Sequence, residues 1–110
     1  MEQIDFDHPT LNDIMDTIEE LNDIYYKAIL YIYTEDRKLI IVTPTNKYTI
    51  NMAMKDIIPM LDSRFKQCYR SCIINTERVC EKNYKEGYFI TDTGKKVYML
   101  SKKYKKDLEV

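Results

Sequence analysis

The sequence predicts a mainly β domain with short helices, of the α+β class, preceded by an N-terminal helix. Ten tyrosines, with runs of Ile, Val and Thr, suit half-buried pleated surfaces, whereas there are only two glycines and no Trp. Stretches of strand character are short and separated by turn residues. Helical spacing of apolar residues is confined to 11–21 and 53–61.

At 110 residues the chain can support one core. It divides into an acidic lead-in and helix, 1–22, and a folded domain, 23–110. Residues 1–9 hold His8-Pro9 and read as a poorly ordered lead-in. Thr10 is a fitting N-cap, after which Leu11, Ile14, Met15, Ile18 and Leu21 share one face, with Asp13, Asp16, Glu19 and Glu20 on the wet side. That stripe can pack on the domain itself or on a second copy, which would make a homodimer.

From Tyr25 the period changes. Tyr25 to Tyr33 is rich in β-branched and aromatic residues, Thr34 to Arg37 is a polar turn, and Leu39 to Thr43 resumes the strand. Pro44 to Asn46 breaks it, and Lys47 to Asn51 forms a third strand. Ala53 to Leu61 is helical in pattern, with Met54, Ile57, Ile58 and Leu61 on one face and Pro59 expected to kink or stop it. Glu77 to Tyr84 is a further strand, Glu86-Gly87 a turn, and Tyr88 to Thr91 a strand. Asp92-Thr93-Gly94 then turns tightly into Lys95 to Leu100, with Gly94 free to take positive φ. Ser101 is a fair N-cap for the final basic segment, Lys102 to Leu108.

Charge is distributed unevenly. Residues 1–36 carry a net −9 and residues 64–106 a net +8, although the whole chain is only −1. At the start of the basic half, Asp62 to Asn75 (DSRFKQCYRSCIIN) joins an apolar anchor, Phe65, to a cluster of Arg64, Lys66 and Arg70. Guanidinium groups on a segment anchored in this way suit an anionic partner, either phosphate or base edges.

Cys68, Cys72 and Cys80 are odd in number and lack a CxxC pattern, and His8 is the sole histidine. A disulfide framework and a metal site are therefore not expected, and Cys68 and Cys72 read as packing residues. Tyr84, Tyr88 and Tyr98 read first as sheet residues and only second as stacking platforms. There is no apolar run of membrane-spanning length and no signal-peptide pattern, so a cytoplasmic protein is expected. No catalytic constellation or phosphate-cradling loop is present, so neither an enzyme nor a cofactor is expected.

Residues 29–108 resemble a LytTR-type DNA-binding domain, the output module of bacterial two-component response regulators. ILYIYTEDRKLIIV resembles the family's opening strand, turn and strand, and YTINMAMKDIIPMLDSRF its next strand, short helix and following Phe. CYRSCIINTERV resembles the segment that carries His-Arg-Ser, with Tyr69 where His is frequent, and GKKVYMLSKKYKKDL the closing strand and Ser-Arg-x-Tyr segment. The resemblance implies small stacked antiparallel sheets and duplex-DNA binding through loop side chains in successive major grooves. By position it implies base contacts from Arg37, Arg70 and Lys103, with Lys102 and Ser101 beside them on phosphates and Ser71 and Lys66 flanking Arg70. The partner would be double-stranded DNA at promoter sites, in paired repeats. The family's first β-hairpin is missing or replaced by the acidic helix, and no receiver domain is seen. The chain is thus expected to be a free-standing regulator or a piece of a longer one. The competing expectation is a protein-interaction module that docks through its acidic N-terminal helix.

Overall fold

The computed structural model of the chain describes residues 26–109. The expected helix over 11–21, and the boundary between 1–22 and 23–110, lie outside the described residues. A 3-10 turn, Tyr26–Ala28, leads into β1 (Tyr31–Glu35), β2 (Lys38–Val42) and β3 (Lys47–Ile50). Next come α1 (Met54–Ile57), a 3-10 turn (Ile58–Met60), β4 (Phe65–Tyr69) and β5 (Cys72–Asn75). A 3-10 turn (Thr76–Arg78) then precedes β6 (Val79–Asn83), β7 (Tyr88–Thr91) and β8 (Lys96–Val97). The 3-10 turn Lys102–Tyr104 and α2 (Lys105–Leu108) end the described chain. The strands form two antiparallel sheets, ordered β3-β2-β1-β5-β4 and β6-β7-β8.

Both faces of the larger sheet are buried, which is why its central strands read as near-continuous apolar runs. Alternation along each strand divides them. Ile32, Leu39, Ile41, Ile50, Phe65 and Ile73 pack with Met52 and Ile57 around α1. Tyr31, Val42, Cys72 and Ile74 pack instead with Phe89 and Val97 of the smaller sheet and with Leu100 and Leu108. Each such side chain contributes roughly 1.5–3 kcal/mol of burial. The basic C-terminal segment is therefore pinned to the core by Leu108 and is not a loose tail.

Several elements differ from the sequence expectation for identifiable reasons. Residues 26–28, expected within the first strand, instead form a 3-10 turn whose Lys27 carbonyl accepts from the Arg78 guanidinium at 2.9 Å, and the strand begins at Tyr31. Thr34 and Glu35 stay in the strand, paired with Leu39 and Lys38, so the turn contains only Asp36 and Arg37. The closing strand is two residues, because Leu100 N–H donates to the Gly87 carbonyl and Ser101 N–H to the Cys68 carbonyl. The helix after Ala53 stops before Pro59, as expected, and Pro59 sits in the 3-10 turn that follows.

Topology gives the larger sheet two distinct ends. β1 and β4 run in the same direction, so the β1–β2 and β4–β5 turns lie together at one end, here the turn end. The β2–β3 loop, the start of β1 and the start of β4 lie at the opposite, loop end.

Candidate nucleic-acid interface

The turn end gathers cations from segments far apart in sequence. Asp36 and Arg37 form the two-residue β1–β2 turn, with φ of 51° and 65°. Positive φ at both positions is what a type I′ hairpin turn requires, because its twist matches that of the strands. Asp tolerates this conformation, but Arg has no such excuse, and a non-Gly residue there costs roughly 1–3 kcal/mol. The result projects Arg37 and Lys38 from the end of the sheet, both exposed.

Arg70 and Ser71 form the β4–β5 turn on the next hairpin. Cys72 pairs with Tyr33, and Thr34 N–H donates to the Ser71 carbonyl at 3.0 Å, which seats this turn directly beside the end of β1. Gln67 Nε2 reaches the Arg70 carbonyl only at 3.5 Å. Just before the turn, a bulge lets Gln67 and Tyr69 pair with Ile73 and Cys72 and leaves Cys68 extra. Cys68 and Tyr69 thus both pack into the core shared with the smaller sheet. Burial, followed by the hydrogen bond to Cys68, pushes the Cys72 thiol well above its ordinary pKa, so Cys72 is an inert packing residue beneath the Arg70 turn.

The third contributor arrives from the smaller sheet. Ser101 N–H donates to the Cys68 carbonyl at 2.9 Å, and the Ser101 hydroxyl oxygen accepts from Lys103 N–H at 3.2 Å. The expected N-cap is therefore present, and it sets Lys102 and Lys103, both exposed, alongside the end of β4. Further along, Tyr84 OH donates to Glu109 at 2.7 Å, Lys82 pairs with the same carboxylate at 3.2 Å, and Lys105 Nζ lies 5.2 Å from the Tyr84 ring centre. These contacts fasten the α2 end to the β6–β7 turn.

The three segments carrying Arg37, Arg70 and Lys103 are thus brought to one end of the fold, with Ser71, Ser101 and Lys102 among them. Lys66 is not with them. It lies in β4 opposite Ile74 of β5, four residues before Arg70, and is half-buried roughly 13 Å back along the strand. Arg64, part of the same sequence cluster, also leaves it, because its Nε pairs with Asp62 at 3.1 Å at the loop end. Among the described residues Arg37, Lys38, Arg70 and Lys102 have no ion-pair partner, and Lys103 has only the Tyr104 ring at 5.8 Å. Glu35 and Asp36 are the acids of the β1–β2 hairpin here, against five Lys and Arg side chains. Lys38, next to Arg37 in the sequence and opposite Glu35 at the turn, joins this set. Tyr88, in β7 of the smaller sheet, and Tyr98, just after β8, meet edge to face at 5.4 Å.

The model for the LytTr DNA-binding domain matches residues 19–110. Among solved structures, the chain is similar to the LytTr DNA-binding domain, from Bacillus cereus, of a protein described as a methyl-accepting/DNA response regulator. The identity is 21%, the TM-score 0.62, and the match covers 74% of this chain and 77% of that one. No curated protein matches the sequence.

Proposed function

The chain belongs to the LytTr DNA-binding domain family, and we propose that it is a transcription regulator that binds specific sites in duplex DNA through the turn end of its larger sheet. Arg37, Arg70 and Lys103 enter the major groove and read base edges, because guanidinium and ammonium groups bond to guanine O6 and N7 there. Lys102, Ser101 and Ser71 contact phosphates and set the register, and Lys66 adds charge from behind. The observation that carries this reading is the convergence of three separated segments whose cations have no carboxylate partner among the described residues. The positive φ of Arg37 supports it, since glycine would relax that turn but would present no cation. Acting in the cytoplasm on paired promoter repeats, as a homodimer or within a response regulator, follows as the setting in which such a module works. No helix among the described residues is long and apolar enough to cross a membrane.

The test is duplex binding by the full chain, measured at several salt concentrations on DNA from upstream of its own gene. The parent should bind with strong salt dependence. Arg37→Ala/Arg70→Ala should lose that binding, while Lys55→Ala/Lys85→Ala, on exposed sites elsewhere, should keep it. Equal losses in both double variants would reduce the interface to bulk charge. No binding by the parent at low salt would return the chain to the protein-interaction reading.

A further inference from the structure

At the loop end, the β2–β3 loop and the β7–β8 turn enclose a cleft of about 240 Å³, lined by Leu30, Val42, residues 43–47, Thr93 and Lys95. Its two ammonium groups come from separate segments, Lys47 at the start of β3 and Lys95 in the β7–β8 turn, and Lys95 Nζ stands 5.7 Å from the Tyr31 ring centre. Neither lysine has an ion-pair partner among the described residues. The Thr43 hydroxyl is engaged within its own loop, with Asn46 N–H at 3.0 Å and the Asn46 carbonyl at 3.1 Å. Two like charges at one polar cleft repel each other, and a carboxylate between them turns that repulsion into attraction.

The chain itself carries carboxylates to this place. Leu30 lines the cleft, and the Lys27 carbonyl is held by Arg78, which also binds Asp92, the residue before Thr93. Residues 1–25 therefore join the described domain beside the cleft, and they contain eight acids and no Lys or Arg. Asp23 lies three residues before Tyr26, and Glu20 and Glu19 lie six and seven before it. An extended chain covers roughly 3.3–3.6 Å per residue, so about 10 Å is within reach of Asp23 and about 20–25 Å within reach of the glutamates. We propose that the cleft between the β2–β3 loop and the β7–β8 turn is a docking site for the chain's own acidic segment, with Lys47 and Lys95 receiving Asp23, Glu20 and Glu19. Docked there, the segment's negative charge is held at the end opposite the basic turns. Left free, it would compete with phosphate for the cations of the turn end, at the high local concentration a short tether creates.

Zero-length carbodiimide coupling of the full chain, followed by peptide mass analysis, tests it. Amide links from Lys47 and Lys95 to Asp23, Glu20 and Glu19 should dominate in the monomer fraction. They should exceed links to the exposed Lys55 and Lys85 by about tenfold or more, as a local tether predicts, and should fade at high salt as screening removes the attraction. Links chiefly to the lysines of residues 102–106 would place the acids over the basic turns and overturn the proposal. Links only between two copies, or no excess over Lys55 and Lys85, would overturn it as well.

Discussion

The two ends of the larger sheet use the same side-chain types in opposite ways. At the loop end Arg64 is bound to Asp62, and Arg78 to Asp92 and to the Lys27 carbonyl. Asn75, buried in β5, spans from the Ile29 carbonyl at 2.9 Å to Glu77 N–H at 3.0 Å. Thr76 donates to the Arg64 carbonyl at 2.8 Å, closing the start of β4 against the end of β5. At the turn end the connecting bonds are between backbone groups, and among the described residues Arg37 and Arg70 have no acidic partner. A guanidinium with a carboxylate in reach becomes part of the frame, whereas one without remains available to an outside anion.

If that contrast is right, damage at the loop end should appear as lost stability and damage at the turn end as lost binding. The largest effect is expected from Asn75→Ala. It leaves the buried Ile29 carbonyl without its donor and the partly buried Glu77 N–H without its acceptor, which costs about 2–4 kcal/mol. Thermal denaturation should show a melting temperature lower by more than about 10 °C for a domain of this size. A loss of only a degree or two would mean that the loop end is not the frame described here.

Arg78→Ala comes next and is smaller, because its ion pair is partly open to solvent and is screened there. About 1 kcal/mol is expected, a shift of about 4–8 °C in melting temperature. Duplex affinity measured where both proteins are folded should be unchanged. An affinity loss without a stability loss would move Arg78 into the interface and blur the two ends.

Lys102→Ala sharpens the contrast from the other side. As a phosphate contact it should weaken cognate and scrambled duplexes equally and flatten the salt dependence by about one unit of slope. Stability should not change. A loss confined to the cognate duplex would make Lys102 a base reader.

The smallest effect is expected at the Tyr84–Glu109 contact. The Tyr84 hydrogen bond, then Lys82, holds the Glu109 carboxyl below its ordinary value. Burial, then the bond to Glu109, pushes the Tyr84 hydroxyl above its own. The depressed carboxyl contributes above its unfolded pKa, and that contribution is lost as pH falls through the folded value. The raised phenol contributes below its unfolded pKa, and that contribution is lost as pH rises through the folded value. Tyr84→Phe should therefore lower the melting temperature slightly between about pH 5 and 9, and the difference should narrow only as pH falls through the folded Glu109 value or rises through the folded Tyr84 value. A difference that does not vary with pH would show that only packing is at stake.

Much of this was legible in the sequence because it is local. The short strands, the stop before Pro59, the Ser101 cap and the three basic segments are all written in neighbouring residues. The Asp36-Arg37 turn was less legible. Nothing local shows that Thr34 and Glu35 remain in the ladder, since their partners across β2 decide it. The roles of the arginines were least legible. Asp62 is two residues from Arg64, but Asp92 is fourteen from Arg78, and only the fold brings that pair together. The meeting of Lys47 and Lys95 at one cleft is likewise a product of two sheets stacking, and no sequence pattern announces it.

Arg70 is proposed to read a base and not merely to add charge. The ratio of affinities for cognate and scrambled duplexes, compared between parent and Arg70→Ala, tests it most directly. A guanidinium bonded to guanine contributes roughly 1–3 kcal/mol of discrimination, so the ratio should fall by about 5- to 150-fold with the melting temperature unchanged. An unchanged ratio, with both affinities lowered by the same factor, would contradict the claim and make Arg70 a phosphate clamp.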